Sequence, residues 1–132
     1  MARKRERVKN RSGTPRFIGF PLNVLQSSNY AKLNAWSVKL LLDIRCQYNG
    51  YNNGDLHAAF SVLKTRGWNS PTTLQRAKDE LIYYGYIELS RQGGSNKCNL
   101  YALTWESIDD CKGKHELKET RVASHLWKQE KD

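Results

Sequence analysis

The sequence predicts one small α+β domain, mostly helical, and three observations carry that prediction. Residues 70–85 read as a helix marked at both ends, with Ser70 as N-cap, Pro71 in the first turn and Gly85 at the C′ position. A second helix, with apolar residues spaced three to four apart, opens at Asn34. Residues 86–89 and 99–105 alternate as strands on either side of the glycine-containing turn 92–96. At 132 residues the chain has the length of a single domain, and it buries roughly two-thirds of its unfolded surface, enough for one core.

Taken in order, residues 1–16 stand apart from that domain. They carry Arg3, Lys4, Arg5, Arg7, Lys9, Arg11 and Arg16 against Glu6, a balance of +6. With almost no apolar surface to bury, such an arm cannot offset its ordering entropy, so a disordered basic arm is expected in the free chain. Phe17-Ile18-Gly19-Phe20 is short, apolar and extended, and Pro21 opens a short helix through Gln26. The helix after Asn34 is expected over 35–48, with Trp36, Leu40, Leu41, Ile44 and Tyr48 as one buried stripe that Leu33 extends backward. Val38 and Leu42 fall on its other side, a patch that either self-associates or is covered by a terminal segment.

The run Asn49-Gly50-Tyr51-Asn52-Asn53-Gly54 is rich in residues that tolerate positive φ and reads as a loop. Asp55-Leu56-His57 forms one short strand, and residues 58–64 a short helix that residues 65–69 break, with Gly67 suited to the left-handed conformation that ends helices. In the capped helix, Leu74, Ala77 and Leu81 form a narrow buried stripe, while Thr72, Gln75, Arg76, Asp79 and Tyr83 lie opposite. Helix, turn, capped helix and glycine-tipped hairpin is the order of a winged helix-turn-helix with a C-terminal β-hairpin wing. The expected organisation is a basic arm (1–16), a winged-helix domain (17–105) and a partly ordered tail (106–132).

The charge points to a partner. Lys and Arg number 22 against 13 Asp and Glu, a net +9; residues 17–105 contribute +4 and the tail −1. Such an excess favours nucleic acid or an anionic membrane surface. No apolar run approaches the roughly 20 residues of a membrane span, so no membrane partner is expected. The basic N-terminus lacks the apolar stretch of a secretory signal, and Cys46, Cys98 and Cys111 are odd in number and widely spaced. A reducing cytoplasm is the expected setting.

The second helix of a helix-turn-helix fits the DNA major groove and presents its first turns to base edges. Here those turns offer Asn69, Ser70, Thr72, Thr73, Gln75 and Arg76. Arginine pairs bidentately with guanine and glutamine with adenine, while serine and threonine suit phosphate. Arg91 and Lys97 flank the hairpin tip, where they reach backbone or minor groove. Arg3, Lys4, Arg5 and Arg7 on the arm either follow the phosphates or serve as a solubilising tail. The expected partner is double-stranded DNA; the alternative is a mobile-element protein that uses the winged-helix surface to bind and inhibit a host protein complex, and a homodimer is a further partner through the patch of Val38 and Leu42. RNA remains a competitor, because phosphate attraction does not distinguish the polymers.

Catalysis finds little support. His57, His115 and His125 are scattered, with no cysteine or carboxylate at ligand spacing, and no phosphate-binding loop or nucleophile elbow occurs. No enzyme, metal or cofactor is expected. Asp109-Asp110 reads as a solvated turn without an acidic partner nearby, Cys46 and Cys98 as packing or incidental residues, and Tyr83-Tyr84 as core rim.

Five segments carry a family resemblance: Asn34-Ala35-Trp36-Ser37, the loop 48–54, Ser70-Pro71-Thr72-Thr73-Leu74-Gln75-Arg76-Ala77, Gly85-Tyr86-Ile87 and Leu103-Thr104-Trp105. Together with Ser124-His125-Leu126-Trp127 they resemble motifs of small winged-helix proteins of proteobacteria and mobile elements. These are similar to the DNA-binding portion of phage and plasmid replication-initiation proteins. The resemblance implies a DNA-binding fold in a bacterial, nucleoid-associated setting. One departure is Trp68, where that family carries a small aliphatic residue, and it bears on the angle between the two helices.

Overall fold

The computed structural model describes residues 15–132. The basic arm, with Arg3, Lys4, Arg5 and Arg7, lies outside the described residues apart from its last two positions. The described chain is α+β, with four α-helices and a three-stranded antiparallel sheet. Helix α1 (Leu22–Leu25) follows Pro21, whose extended backbone turns the chain into it.

Helix α2 (Ala35–Arg45) starts where the Asn34 side chain accepts the backbone N–H of Trp36 at 2.8 Å. It ends one turn earlier than the sequence predicts. The Gln47 side chain leaves the helix to bridge the backbone of His57, donating at 2.8 Å and accepting at 2.9 Å, so the chain is drawn toward the sheet. Its core face is Leu40, Leu41 and Ile44. Trp36 corrects the predicted stripe: it is 43% exposed, because at the first turn the stripe has rotated past the edge of α4.

Strand β1 (Leu56–His57) pairs antiparallel with β3 (Leu100–Leu103), which in turn pairs with β2 (Ile87–Arg91), giving the order β1-β3-β2. As the central strand, β3 is buried at all four positions. The predicted return strand ends early, since Thr104 and Trp105 already turn away toward the tail. Helix α3 (Phe60–Leu63) continues as a 3₁₀ turn (Lys64–Arg66) and stops at Gly67, where φ of +94° terminates it.

Helix α4 (Pro71–Tyr83) matches its predicted ends. The Ser70 hydroxyl accepts the Thr73 N–H at 3.2 Å. At the other end Tyr86 N–H reaches Leu81 O and Gly85 N–H reaches Ile82 O, with Gly85 at φ +86°. Leu74, Ala77 and Leu81 are buried as the periodicity requires. They close a single core with Leu40, Leu41, Ile44, Trp68, Tyr86 and Leu103.

The asparagine-glycine loop achieves its turn differently from the expectation. Gly50 and Gly54 take positive φ, but the asparagines do not. They serve instead as hydrogen-bonding groups. Asn53 is fully buried and its amide donates to the carbonyls of Leu103, Glu106 and Ser107, while its oxygen accepts the Leu103 N–H at 2.7 Å. Its backbone N–H also donates to Asp109 Oδ2 at 2.8 Å. Asp109 is therefore not in a free solvated turn. Asn53 folds the loop against residues 109–119, so that Asp55, Asp109, Asp110 and Glu119 line one cleft.

Residues after Trp105 contain, among the described residues, two short 3₁₀ turns and no strand, yet they are stitched to the domain. Asn29, 1% exposed, donates to Trp127 O at 3.0 Å and Gln129 O at 2.7 Å and accepts from Lys131 N at 2.9 Å. Trp127 is buried beneath them. No helix among the described residues is long and apolar enough to cross a membrane.

Candidate nucleic-acid interface

The face of α4 opposite the core is polar and open. Thr72, Gln75, Arg76, Asp79 and Tyr83 are exposed along it, with Asn69 exposed just before the cap. Thr73 and Ser70 are half-buried, and the Ser70 hydroxyl already serves the cap. Gln75 is not idle: its amide donates to Asp79 Oδ1 at 2.9 Å, a bond on an exposed face that a competing ligand can replace. The Arg76–Glu80 pairing that i,i+4 spacing offers is not formed among the described residues. Glu80 is turned to α2, where Oε1 accepts Asn34 N–H and the Ser37 hydroxyl, each at 2.7 Å.

The hairpin separates the two predicted wing residues. Lys97 is exposed at the tip, in a tight Gly94–Lys97 bridge. Arg91 is folded back: Nη2 donates to Cys98 O at 2.7 Å and Nη1 to Lys114 O at 3.4 Å, while Nε is buried. Its guanidinium braces the hairpin against the tail segment, whereas Lys97 is exposed.

Trp68 explains how α4 is set against α2. The indole is 1% exposed and its Nε1–H donates to Asp43 Oδ2 at 2.8 Å. Lys39 and Arg66 flank the same carboxylate at 3.3 and 3.7 Å, and Lys39 Nζ also donates to Arg66 O at 2.7 Å. A buried charge needs such partners, and here they tie α2, the 3₁₀ turn and the start of α4 into one unit. Beside it Trp36 packs at 5.1 Å from the Trp68 ring, with much of its own surface open next to Thr73 and Arg76.

Sequence reasoning missed Trp36, Asp43 and Asn53. Asp43 lies one turn after Lys39 on the side of α2 away from Val38 and Leu42, a position where an aspartate in a helix interior asks for a partner. Trp36 carried no such signal, because its periodicity fitted the core stripe.

Burial lowers the Lys78 ammonium below its ordinary range, with Asp79 opposing the shift. On the far side, burial and the nearby Asp55, Asp109 and Asp110 push the Cys111 thiol up to about 11, so it stays protonated. Among the described residues no group of histidines, cysteines and carboxylates is placed to hold a metal ion.

The chain matches no protein-family model, no curated protein and no solved structure.

Proposed function

We propose that this chain is a winged helix-turn-helix protein that binds double-stranded DNA, with α4 in the major groove and the β2–β3 hairpin as wing. In this reading it acts as a regulator or replication-associated protein of a mobile element. The observation that carries it is the outward face of α4. A thirteen-residue helix with a secure cap presents Thr72, Gln75 and Arg76 exposed, with no other element packed over them among the described residues. The element order α2, β1, α3, α4, β2, β3 and the sheet order β1-β3-β2 support the winged-helix assignment. The chain's charge of +9 supplies the phosphate attraction.

The division of labour follows from the side chains. Arg76 and Gln75 read base edges, Thr72 and Asn69 hold phosphates at the groove rim, and Lys97 touches the backbone from the wing. Arg91 sets the wing's angle through its carbonyl contacts. The test is selection of preferred duplexes from a random pool by the full chain, followed by affinity against salt. An enriched site and a log–log salt slope of about −0.9 per phosphate neutralised are expected. Removal of residues 1–16 flattens the slope if the arm lies on the phosphates. No enrichment together with salt-insensitive binding overturns the reading.

A second reading, protein binding, has its own observation. Phe20, Leu25, Tyr30, Val38, Leu41 and Leu42 line an apolar groove of about 140 Å³ on the side of α2 away from α4. It fits a second copy or a host protein complex, and sedimentation of the free chain tests the first of these.

A further inference from the structure

A cleft of about 360 Å³ runs between the first turn of α2 and the side of α4 that faces it, lined among others by Trp36, Thr73, Arg76 and Glu80. That volume lies in the range of small-ligand sites, roughly 300–1,000 Å³. Its chemistry is specific. One wall is the half-exposed Trp36 indole, which Trp68 holds from the other side at 5.1 Å. Another is the Glu80 carboxylate, fixed by two hydrogen bonds on Oε1, with none reaching Oε2 among the described residues. Arg76 completes the set as a planar donor. An aromatic platform beside a fixed acceptor and a cationic donor is the requirement for gripping a nucleobase: stacking on the ring, and hydrogen bonds at opposite edges.

Among bases, guanine meets both edges. Its O6 and N7 accept from a guanidinium, and its N1–H and N2–H₂ donate to a carboxylate. Thymine has one N–H and no amino group, and adenine lacks the O6 acceptor. We propose that this cleft binds a guanine base stacked on Trp36, held by Arg76 at one edge and Glu80 at the other. The base comes either from an unpaired position in DNA or from a free guanine nucleotide. The inference rests on the preceding section only in sharing Arg76, since a free nucleotide needs no duplex.

The fluorescence of the folded protein reports on this site. Trp36 is 43% exposed, whereas Trp68, Trp105 and Trp127 are 1, 6 and 5% exposed. Titration of the full chain with guanosine 5′-monophosphate should quench emission saturably, with thymidine 5′-monophosphate weaker by about tenfold, the discrimination one charge-assisted hydrogen bond supports. Trp36→Phe should abolish the quench. Glu80→Gln keeps an acceptor for Asn34 and Ser37, so it should retain the melting temperature while losing the guanine preference. In a second arm, a duplex with one bulged guanosine competes against the same duplex with a bulged thymidine and against the fully paired one. Guanine-selective quenching without a bulge preference assigns the site to free nucleotide, and a guanosine-bulge preference assigns it to DNA. Equal responses to guanine and thymine in both arms overturn the proposal. Guanine binding by a chain that ignores paired duplex leaves the cleft standing and removes the major-groove reading alone.

Discussion

Helix α4 and the segment after Trp105 are both well packed, but different forces hold them. Helix α4 buries Leu74, Ala77 and Leu81 on one face, and its ends are closed by Ser70 and Gly85. The later segment has almost no repeating structure; Trp127 anchors it in the core, and two buried amides, Asn29 and Asn53, grip its backbone groups. Apolar burial is proportional to area and repeats with the helix period. Amide-to-backbone anchoring is a matter of single side chains and has no period. The comparison teaches where each region breaks.

The largest effect is expected in the apolar region. Leu81→Ala, at a fully buried position, should cost roughly 2–5 kcal/mol in urea unfolding, and binding should fall with it through loss of fold. A cost below about 1 kcal/mol would place Leu81 outside the core and reverse the faces of α4.

Trp68→Phe removes the Nε1–H donor from the buried Asp43 carboxylate while keeping most of the ring. A loss of about 1.5–3 kcal/mol is expected, as for a hydrogen bond to a charged group. Asp43→Asn removes the same charge-assisted bond from its other end, so the double mutant should cost less than the sum of the two single losses; a strictly additive double mutant contradicts the coupling.

The polar region should fail locally. Asn29→Ala frees the carbonyls of Trp127 and Gln129 and the N–H of Lys131, at a cost of about 1–3 kcal/mol. Hydrogen exchange is expected to quicken after residue 120 while α4 amides stay protected. Uniform quickening would mean that both regions unfold as one.

The smallest effect is electrostatic. The Tyr48 hydroxyl is raised to about 12, first by burial and then by Glu106 and Asp109, whereas an unfolded tyrosine ionises near 10. The folded state holds the proton longer, so its contribution is complete below about pH 10 and is lost as pH rises through about 12. Urea midpoints should fall as pH rises from about 10 to about 12, and less steeply in Tyr48→Phe; parallel curves would exclude this tyrosine.

The same contrast sets what was legible in the sequence. The caps of α4, its buried stripe and the order of elements through β3 follow from local chemistry, so the residues themselves announce them. The ends of α2 and β3 do not, because Gln47 and the turn at Thr104 answer to tertiary partners. Of the site, the exposed row Thr72, Gln75 and Arg76 was readable from periodicity. The withdrawal of Arg91 to the tail was not, since its carbonyl partners depend on a segment with no pattern. Trp68 stood out as the wrong size for its place, but only Asp43, twenty-five positions earlier, explains it.

The central claim is that α4 reads sequence rather than merely attracting phosphate, and one competition measurement addresses it. Arg76→Ala and Lys97→Ala, each with an unchanged melting temperature, are titrated at fixed salt against the selected duplex and a scrambled one. The account predicts that Arg76→Ala loses about 1–3 kcal/mol on the selected duplex and little on the scrambled one. Lys97→Ala should weaken both alike, because a backbone contact carries no sequence information. Equal losses on the two duplexes for Arg76→Ala would contradict base reading by this helix and leave a protein that holds DNA through its phosphates alone.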